Sequence, residues 1–142
     1  MPIMVVARGL AAMAAILGGL ALGLATPATA SPVMSGHYVV IVNNAITGQT
    51  TREDWYFTPC GDGCASVQPW GHARLADGQW SLDTTSNALC RNDITVFQAE
   101  DAHYVWNPNT LAGTVHLTGR STACGRPLGY TFVNSVQFSP AP

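Results

Sequence analysis

Four cysteines constrain this chain of 142 residues more than any other feature. They are Cys60, Cys64, Cys90 and Cys124, and all follow an N-terminal apolar segment, so we expect an oxidising compartment and two disulfides. Three pairings are possible for four cysteines. Cys60 and Cys64 bracket two glycines that can adopt the positive φ angles a very small ring requires. We therefore predict that these two pair with each other and that the remaining two form the second disulfide.

Metal and redox chemistry are the alternatives for the same sulfurs. Structural zinc sites usually combine short paired Cys/His motifs, whereas Cys90 and Cys124 stand far apart. Thioredoxin-like redox sites use C-x-x-C within a βαβ unit, and the short pair here has three intervening residues. Asp62 and Asp77 lack the alternating oxygen ligands of a calcium loop and are predicted to be turn residues. We therefore expect neither a metal nor a cofactor.

The first thirty residues have the pattern of a secretory signal peptide. Arg8 precedes an uncharged apolar segment, and Ala28-Thr29-Ala30 offers small residues for cleavage after Ala30. A membrane anchor is the alternative, but the uncharged run of about 17 residues is at the short limit for a span. We predict a signal peptide over 1–30 and one domain over 31–142. The protein should then be secreted, extracellular or in the cell envelope, without stable membrane insertion.

The charge balance argues against nucleic-acid binding. All six basic residues are arginines, and the removal of Arg8 leaves five of them against eight acids, a net charge of −3 (5 − 8). Phosphate backbones are bound by basic patches or stripes, which this sequence lacks. We expect a small molecule or a protein as the partner.

Short β-rich segments recur between turn signals at intervals of roughly eight to twelve residues. Asp77-Gly78 between two alternating segments is a strong hairpin signal. Residues 84–92 are predicted to be a polar loop, and Glu100-Asp101 a turn. Strands are predicted over 37–43, 54–58, 64–67, 72–75, 79–83, 94–98, 104–106, 111–119, 130–133 and 136–138. The sequence thus predicts a single all-β domain, an antiparallel barrel or sandwich of about eight short strands.

The order of cysteine, tryptophan and glycine motifs resembles that of small exported proteins of mycobacteria and related actinobacteria, most of them uncharacterised. The motifs are Trp55, Cys60-Gly61-Asp62-Gly63-Cys64-Ala65, Gly78-Gln79-Trp80, Cys90, Tyr104 with Trp106, Leu111-Ala112-Gly113 and Cys124-Gly125. The resemblance covers nearly all of 31–142 and implies secretion and a β domain with two disulfides. It implies no activity. The motif at Gly78 is also similar to the G-x-W of lipocalins, although there it lies on the first strand and here on a hairpin in mid-chain.

Histidines and acids were considered for catalysis. The four histidines are not spaced as metal ligands. His103 follows Glu100-Asp101, and a His–carboxylate pair there could perform general acid–base catalysis. His116 alternates with threonines on a strand and is predicted to face solvent. A small hydrolase that uses one His and one carboxylate is therefore an alternative function.

Aromatic side chains give the leading functional hypothesis. Most should form the core, but Trp55, Trp70, Tyr104 and Trp106 are candidate ligand-binding residues. We predict a non-catalytic binding domain for a small apolar ligand in a barrel interior, or for a protein partner at an aromatic patch. An internal pocket of a few hundred Å³ lined by Tyr and Trp would favour the ligand. A further alternative is a protease inhibitor whose binding loop is rigidified by Cys60–Cys64.

Overall fold

The computed structural model describes residues 32–142, so the predicted signal peptide lies outside the described part. One short 3₁₀ turn, Ala123–Gly125, lies between the last two strands of that part. The strands are β1 Gly36–Asn43, β2 Thr50–Pro59, β3 Cys64–Gln68, β4 Gly71–Ala76, β5 Gln79–Leu89, β6 Thr95–Trp106, β7 Ala112–Gly119 and β8 Thr131–Pro140.

The eight strands form a closed antiparallel barrel in which each strand pairs with the next and β8 returns to β1. The burial pattern along β7 shows how a strand forms part of the barrel wall. Val115 and Leu117 are buried, whereas His116 and Thr118 are exposed. Because side chains alternate along a strand, one face of β7 points into the barrel and the other points to solvent. The prediction of about eight antiparallel strands is confirmed, and the architecture is a barrel. His116 faces solvent as predicted.

Two predicted connections are in fact strand, and those predictions are wrong. β5 continues to Leu89, and β6 already includes Glu100-Asp101, with Ser86 opposite Glu100. A β-bulge between Ser86 and Ala88 absorbs the local irregularity. Polar sequence misled the prediction because inward residues at this end of the barrel border a cavity and need not be apolar. The predicted strands over 130–133 and 136–138 are likewise one strand, β8.

Both disulfides pair as predicted. Cys60–Cys64, hereafter the short disulfide, closes the tip of the β2–β3 hairpin with a Cα separation of 5.0 Å. Cys90–Cys124, the long disulfide, has a Cα separation of 5.1 Å and joins the β5–β6 loop to the β7–β8 loop.

Aromatic residues fill one half of the barrel. Trp106 stacks on Phe138 at 4.5 Å between ring centroids, and Phe138 meets the edge of Trp55 at 5.3 Å. Trp80 and Phe57 complete the cluster around Trp106. We call this the closed half. The antiparallel order places residues 60–63, 77–78 and 107–111 at its end, and residues 44–49, 90–94 and 120–130 at the opposite, open end. The β3–β4 turn, residues 69–70, also points toward the open side, but its strands are short and Trp70 packs against Trp55.

Candidate functional site

The open half of the barrel contains a cavity that is partly open to solvent, with a volume of ≈ 1620 Å³ that includes the space between the loops at its mouth. An eight-stranded barrel is just wide enough to be filled by side chains or to hold one small ligand. In this barrel, large aromatic side chains fill the closed half. The inward-facing residues of the open half are smaller and leave space for a ligand. The volume exceeds the few hundred Å³ expected and the ~300–1,000 Å³ typical of small-molecule pockets.

Apolar side chains form much of the inner wall. Val42, Val115, Leu117 and Phe132 line the cavity from β1, β7 and β8. Val115 is only 1% exposed and Leu117 7%. This wall can bury an aliphatic or aromatic body, a transfer worth about 25 cal/mol per Å² of apolar surface.

Polar groups interrupt the wall at inward positions. The indole N–H of Trp55 donates to Glu53 Oε2 at 2.8 Å, which holds this carboxylate at the boundary between the two halves. Asn134 is 4% exposed, and its Oδ1 accepts a hydrogen bond from the backbone N–H of Ala45 at 3.0 Å. Both groups therefore already have partners within the chain.

Glu100 and Tyr130 differ, because each retains a buried polar atom without a partner. Glu100 is 4% exposed, and neither its Oε2 nor the Tyr130 hydroxyl has a hydrogen-bond partner within residues 32–142. Burial raises the pKa of Glu100, and this is opposed by Tyr130 and by the Arg126 guanidinium. Tyr130 therefore lies close enough to Glu100 to stabilise its ionised form and so lower its pKa. The indole N–H groups of Trp70, Trp80 and Trp106 are also buried without a partner in the described part of the chain, but these residues pack in or against the core and do not line the cavity. Glu100 and Tyr130 do line it, so a bound ligand can reach their oxygens and remove the cost of about 1–3 kcal/mol of an unsatisfied buried group.

Tyr104 lies where the cavity meets the closed half. Its pKa is raised, first by burial and then by the carboxylates of Glu53 and Glu100. Both carboxylates therefore lie close enough to act on one buried hydroxyl. We call the part of the cavity next to the closed half its floor, and it carries two acidic residues, Glu53 and Glu100.

Arg126 stands at the mouth above two aromatic rings. Its guanidinium carbon is 5.0 Å from the ring centroid of Tyr130 and 5.5 Å from that of Phe132, and the two rings stack on each other. Gly119 makes room for Tyr130, because a Cβ at that position would overlap the tyrosine ring. The long disulfide anchors the same loop through Cys124. These contacts fix the polar side of the mouth.

Of the four aromatic candidates from the sequence, Tyr104 alone lines the cavity. Trp55 and Trp106 are 0% and 1% exposed in the closed half, and Trp70 is half-buried against Trp55 at 6.1 Å. The structure therefore brings Trp55, Trp70 and Tyr104 together, but chiefly as packing.

Four polar or aromatic residues of the cavity, Glu53, Glu100, Arg126 and Tyr130, were not predicted to line a binding site, and Glu100 was considered only as an acid for catalysis. A signal existed for the two acids. Glu53 precedes Trp55 by two residues and Glu100 precedes Tyr104 by four, and even spacing on a strand places side chains on the same face. An acid on the inward face of a barrel strand indicates a polar interior. Arg126 and Tyr130 lie in or beside a long connection and carry no such pattern.

The His–carboxylate pairs lie outside the cavity. His103 Nδ1 is 2.6 Å from Asp83 Oδ1 rather than bonded to Glu100 or Asp101, and His37 Nε2 is 2.8 Å from Asp54 Oδ1. Both pairs sit on outward positions of the convex barrel wall. A substrate would find no enclosed site at either pair.

A further cluster lies at the hairpin tip. Ligand atoms of Cys60, Cys64 and His72 are within 4.8 Å of one another. The two sulfurs are bonded to each other in the short disulfide, whereas the thiolate is the form of cysteine that binds metals. The cluster is therefore a disulfide with a neighbouring histidine.

No protein-family model matches the chain, and searches of curated proteins and of solved structures likewise return no match. The function must be argued from the cavity itself. Within residues 32–142, no helix is both long and apolar enough to cross a membrane.

Proposed function

We propose that this protein is a non-catalytic binding protein whose open half holds one small amphiphilic molecule. The apolar body lies against Val42, Val115 and Leu117, and the polar head lies against the floor. The observation that carries the proposal is the pair of buried, unpartnered atoms, Glu100 Oε2 and the Tyr130 hydroxyl, at a cavity lined by both apolar and polar residues.

The charge of the floor selects the head group. Glu53 and Glu100 supply two acids at the floor, whereas Arg52, Arg91 and Arg126 line the cavity together with Asp93. An ionised carboxylate only accepts hydrogen bonds, and the protonated form of Glu100, which burial favours, can also donate one. A head group without negative charge that can donate a hydrogen bond, such as an ammonium or a hydroxyl, complements the floor. A carboxylate head group at the floor would lie beside two acids.

We also propose that the protein acts outside the cytoplasm and belongs with the exported actinobacterial proteins it resembles. Two formed disulfides support export, because disulfides persist in oxidising compartments. The signal-like pattern over 1–30 supports the same conclusion.

The two alternative functions gain no comparable support. A hydrolase needs its His and acid in a concave site, and both pairs lie on the convex wall. An inhibitor would use the tip at the short disulfide, where Cys60, Gly61 and Asp62 are exposed, as turn residues commonly are. The cavity, in contrast, contains buried polar atoms that await a partner.

Calorimetric titration with ten-carbon probes tests the proposal. Decylamine and 1-decanol should bind, and decanoate should bind more weakly because of the acidic floor. Val115→Phe, which places a ring inside the cavity, should abolish binding of both favoured probes. The matched control is Val67→Ile in the closed half, which should leave binding intact. The proposal would be wrong if no probe binds, if decanoate binds most tightly, or if Val115→Phe has no effect.

A further inference from the structure

Exposed apolar side chains are concentrated at the open end. Eight large hydrophobic residues within 32–142 are exposed, and five of them surround the mouth or lie just below it. We call these five the apolar rim: Ile46 at 65% exposure, Leu89 at 67%, Ile94 at 56%, Phe97 at 76% and Leu128 at 68%. They come from three separate connections and the strand ends beside them, so their clustering is a property of the fold. Val33 and Tyr56 lie toward the closed end, and Val133 lies on the outer face of β8.

Arginines are concentrated at the same end. Of the five arginines in 32–142, four lie on open-end loops or strand ends, and Arg74 on β4 lies toward the closed end. The four are Arg52, Arg91, Arg120 and Arg126. Arg52 lies 3.7 Å from Asp54, so this ion pair adds no net charge to either end. The other three arginines of the open end face two exposed acids, Asp93 and Asp101, which leaves +1 (3 − 2) when Glu53 and Glu100 inside the cavity are set apart. The remaining outer surface carries Arg74 and three aspartates, a charge of −2 (1 − 3).

The rim is held in place by covalent and ionic links. The long disulfide joins the loop that precedes Ile94 to the loop that contains Leu128. Arg120 Nε lies 3.4 Å from Asp101 Oδ1, which ties the β7–β8 connection to β6. Apolar side chains and guanidinium groups are therefore presented together on a fixed ring around the cavity.

We propose that the apolar rim docks the open end of the barrel on an anionic lipid bilayer, with the mouth facing the membrane. Apolar side chains can enter the boundary between head groups and acyl chains, while arginines bind lipid phosphates. Because the open end is positive and the rest of the outer surface is negative, the electric field of the anionic membrane surface turns the open end toward the bilayer. A second copy seated rim to rim would bring two ends of net positive charge together, so charge complementarity favours the bilayer. The inference is independent of whether the cavity holds a ligand, and with a ligand it supplies a route between membrane and cavity.

Vesicle flotation tests the docking. The protein is recovered from the medium of an exporting culture, its N-terminus is determined by mass spectrometry, and it is mixed with vesicles of phosphatidylcholine alone or with phosphatidylglycerol. It should float with the anionic vesicles, and added salt should reduce flotation. Phe97→Ser with Leu128→Ser should abolish it, whereas Val33→Ser, an equally exposed residue at the other end, should not. Arg91→Gln should weaken binding about fivefold, and Arg74→Gln should not weaken it.

Amide hydrogen exchange on the vesicle-bound protein shows which residues contact the membrane, even if the N-terminus also contributes to membrane binding. Residues 44–49, 90–94 and 120–130 should be protected and residues 60–63 should not. Equal flotation of the Phe97/Leu128 variant and the native protein, or protection at 60–63 instead, overturns the proposal. The proposal is also overturned if a rim variant floats like the native protein but sediments differently in the absence of vesicles, because the rim would then join two copies of the protein. Phe97 and Leu128 do not line the cavity, so decylamine binding by this variant separates failed docking from a failed binding function.

Discussion

Two valines of equal burial test the division of the barrel into a filled half and an open half. Val115 on β7 and Val67 on β3 are each 1% exposed. Val115 lines the cavity, whereas Val67 pairs with Phe57 in the closed half and does not. The same substitution, valine to phenylalanine, therefore adds the same atoms to two different environments.

The expected costs differ because only one site has room. In the closed half the larger ring must displace packed neighbours, and overpacking costs about 1–3 kcal/mol. Val115 also packs in the core, but it borders the cavity, so the ring has space on one side. The loss in the free energy of unfolding should therefore be smaller than at Val67, below about 1 kcal/mol.

Urea unfolding measured by circular dichroism gives both free energies, and an unchanged m-value shows that the comparison is between like states. Val67→Phe should lose clearly more stability than Val115→Phe, whereas only Val115→Phe should lose decylamine binding. Equal destabilisation by the two substitutions would refute the division into halves, since it would mean that Val115 is packed as tightly as Val67.

Three further predictions concern stability. Burial raises the pKa of Glu100 above its ordinary 4.5. The free energy of unfolding should therefore fall as the pH rises from 4.5 through the raised pKa. Glu100→Gln should remove this fall, as measured by urea titrations at acidic and neutral pH. A larger fall in the variant would contradict the sign. Replacing Cys90 and Cys124 by serine should cost about 4 kcal/mol, against about 2 for the short disulfide, because the closed loop is longer; equal losses in urea unfolding would contradict this. Gly113→Ala should lower the thermal midpoint, by an amount equivalent to about 1–3 kcal/mol, since a Cβ would overlap the Val105 carbonyl oxygen; an unchanged midpoint would show that β6 and β7 can separate.

The sequence predicts much of this fold because its signals are local. The alternation around Val115 and Leu117 identifies β7 and its inward face, and two glycines between Cys60 and Cys64 identify the short disulfide. The same local logic fails for the end of β5. There the partner that makes Ser86 part of a strand is Glu100, and only closure of the barrel brings the two together.

The cavity is harder to predict than the barrel because alternation identifies inward residues without showing whether space remains between them. Trp106 and Tyr104 both face inward on β6, yet Trp106 packs against Phe138 and Tyr104 borders the cavity. Whether an inward ring is packed in the core depends on the side chains that the opposite strands place at the same level along the barrel axis. Glu100 could have been recognised by its even spacing from Tyr104, but its missing hydrogen-bond partner is visible only in three dimensions.

An amide NMR titration with decylamine tests the central claim most directly, because it locates the bound molecule. The account predicts saturable shifts at Val42, Leu117 and Gly119 in the open half, with Val67 and Gly61 at the other end unchanged. Shifts confined to the closed end or spread over the outer wall, or no saturable shift at all, would contradict the claim that the open half of the barrel is a binding site.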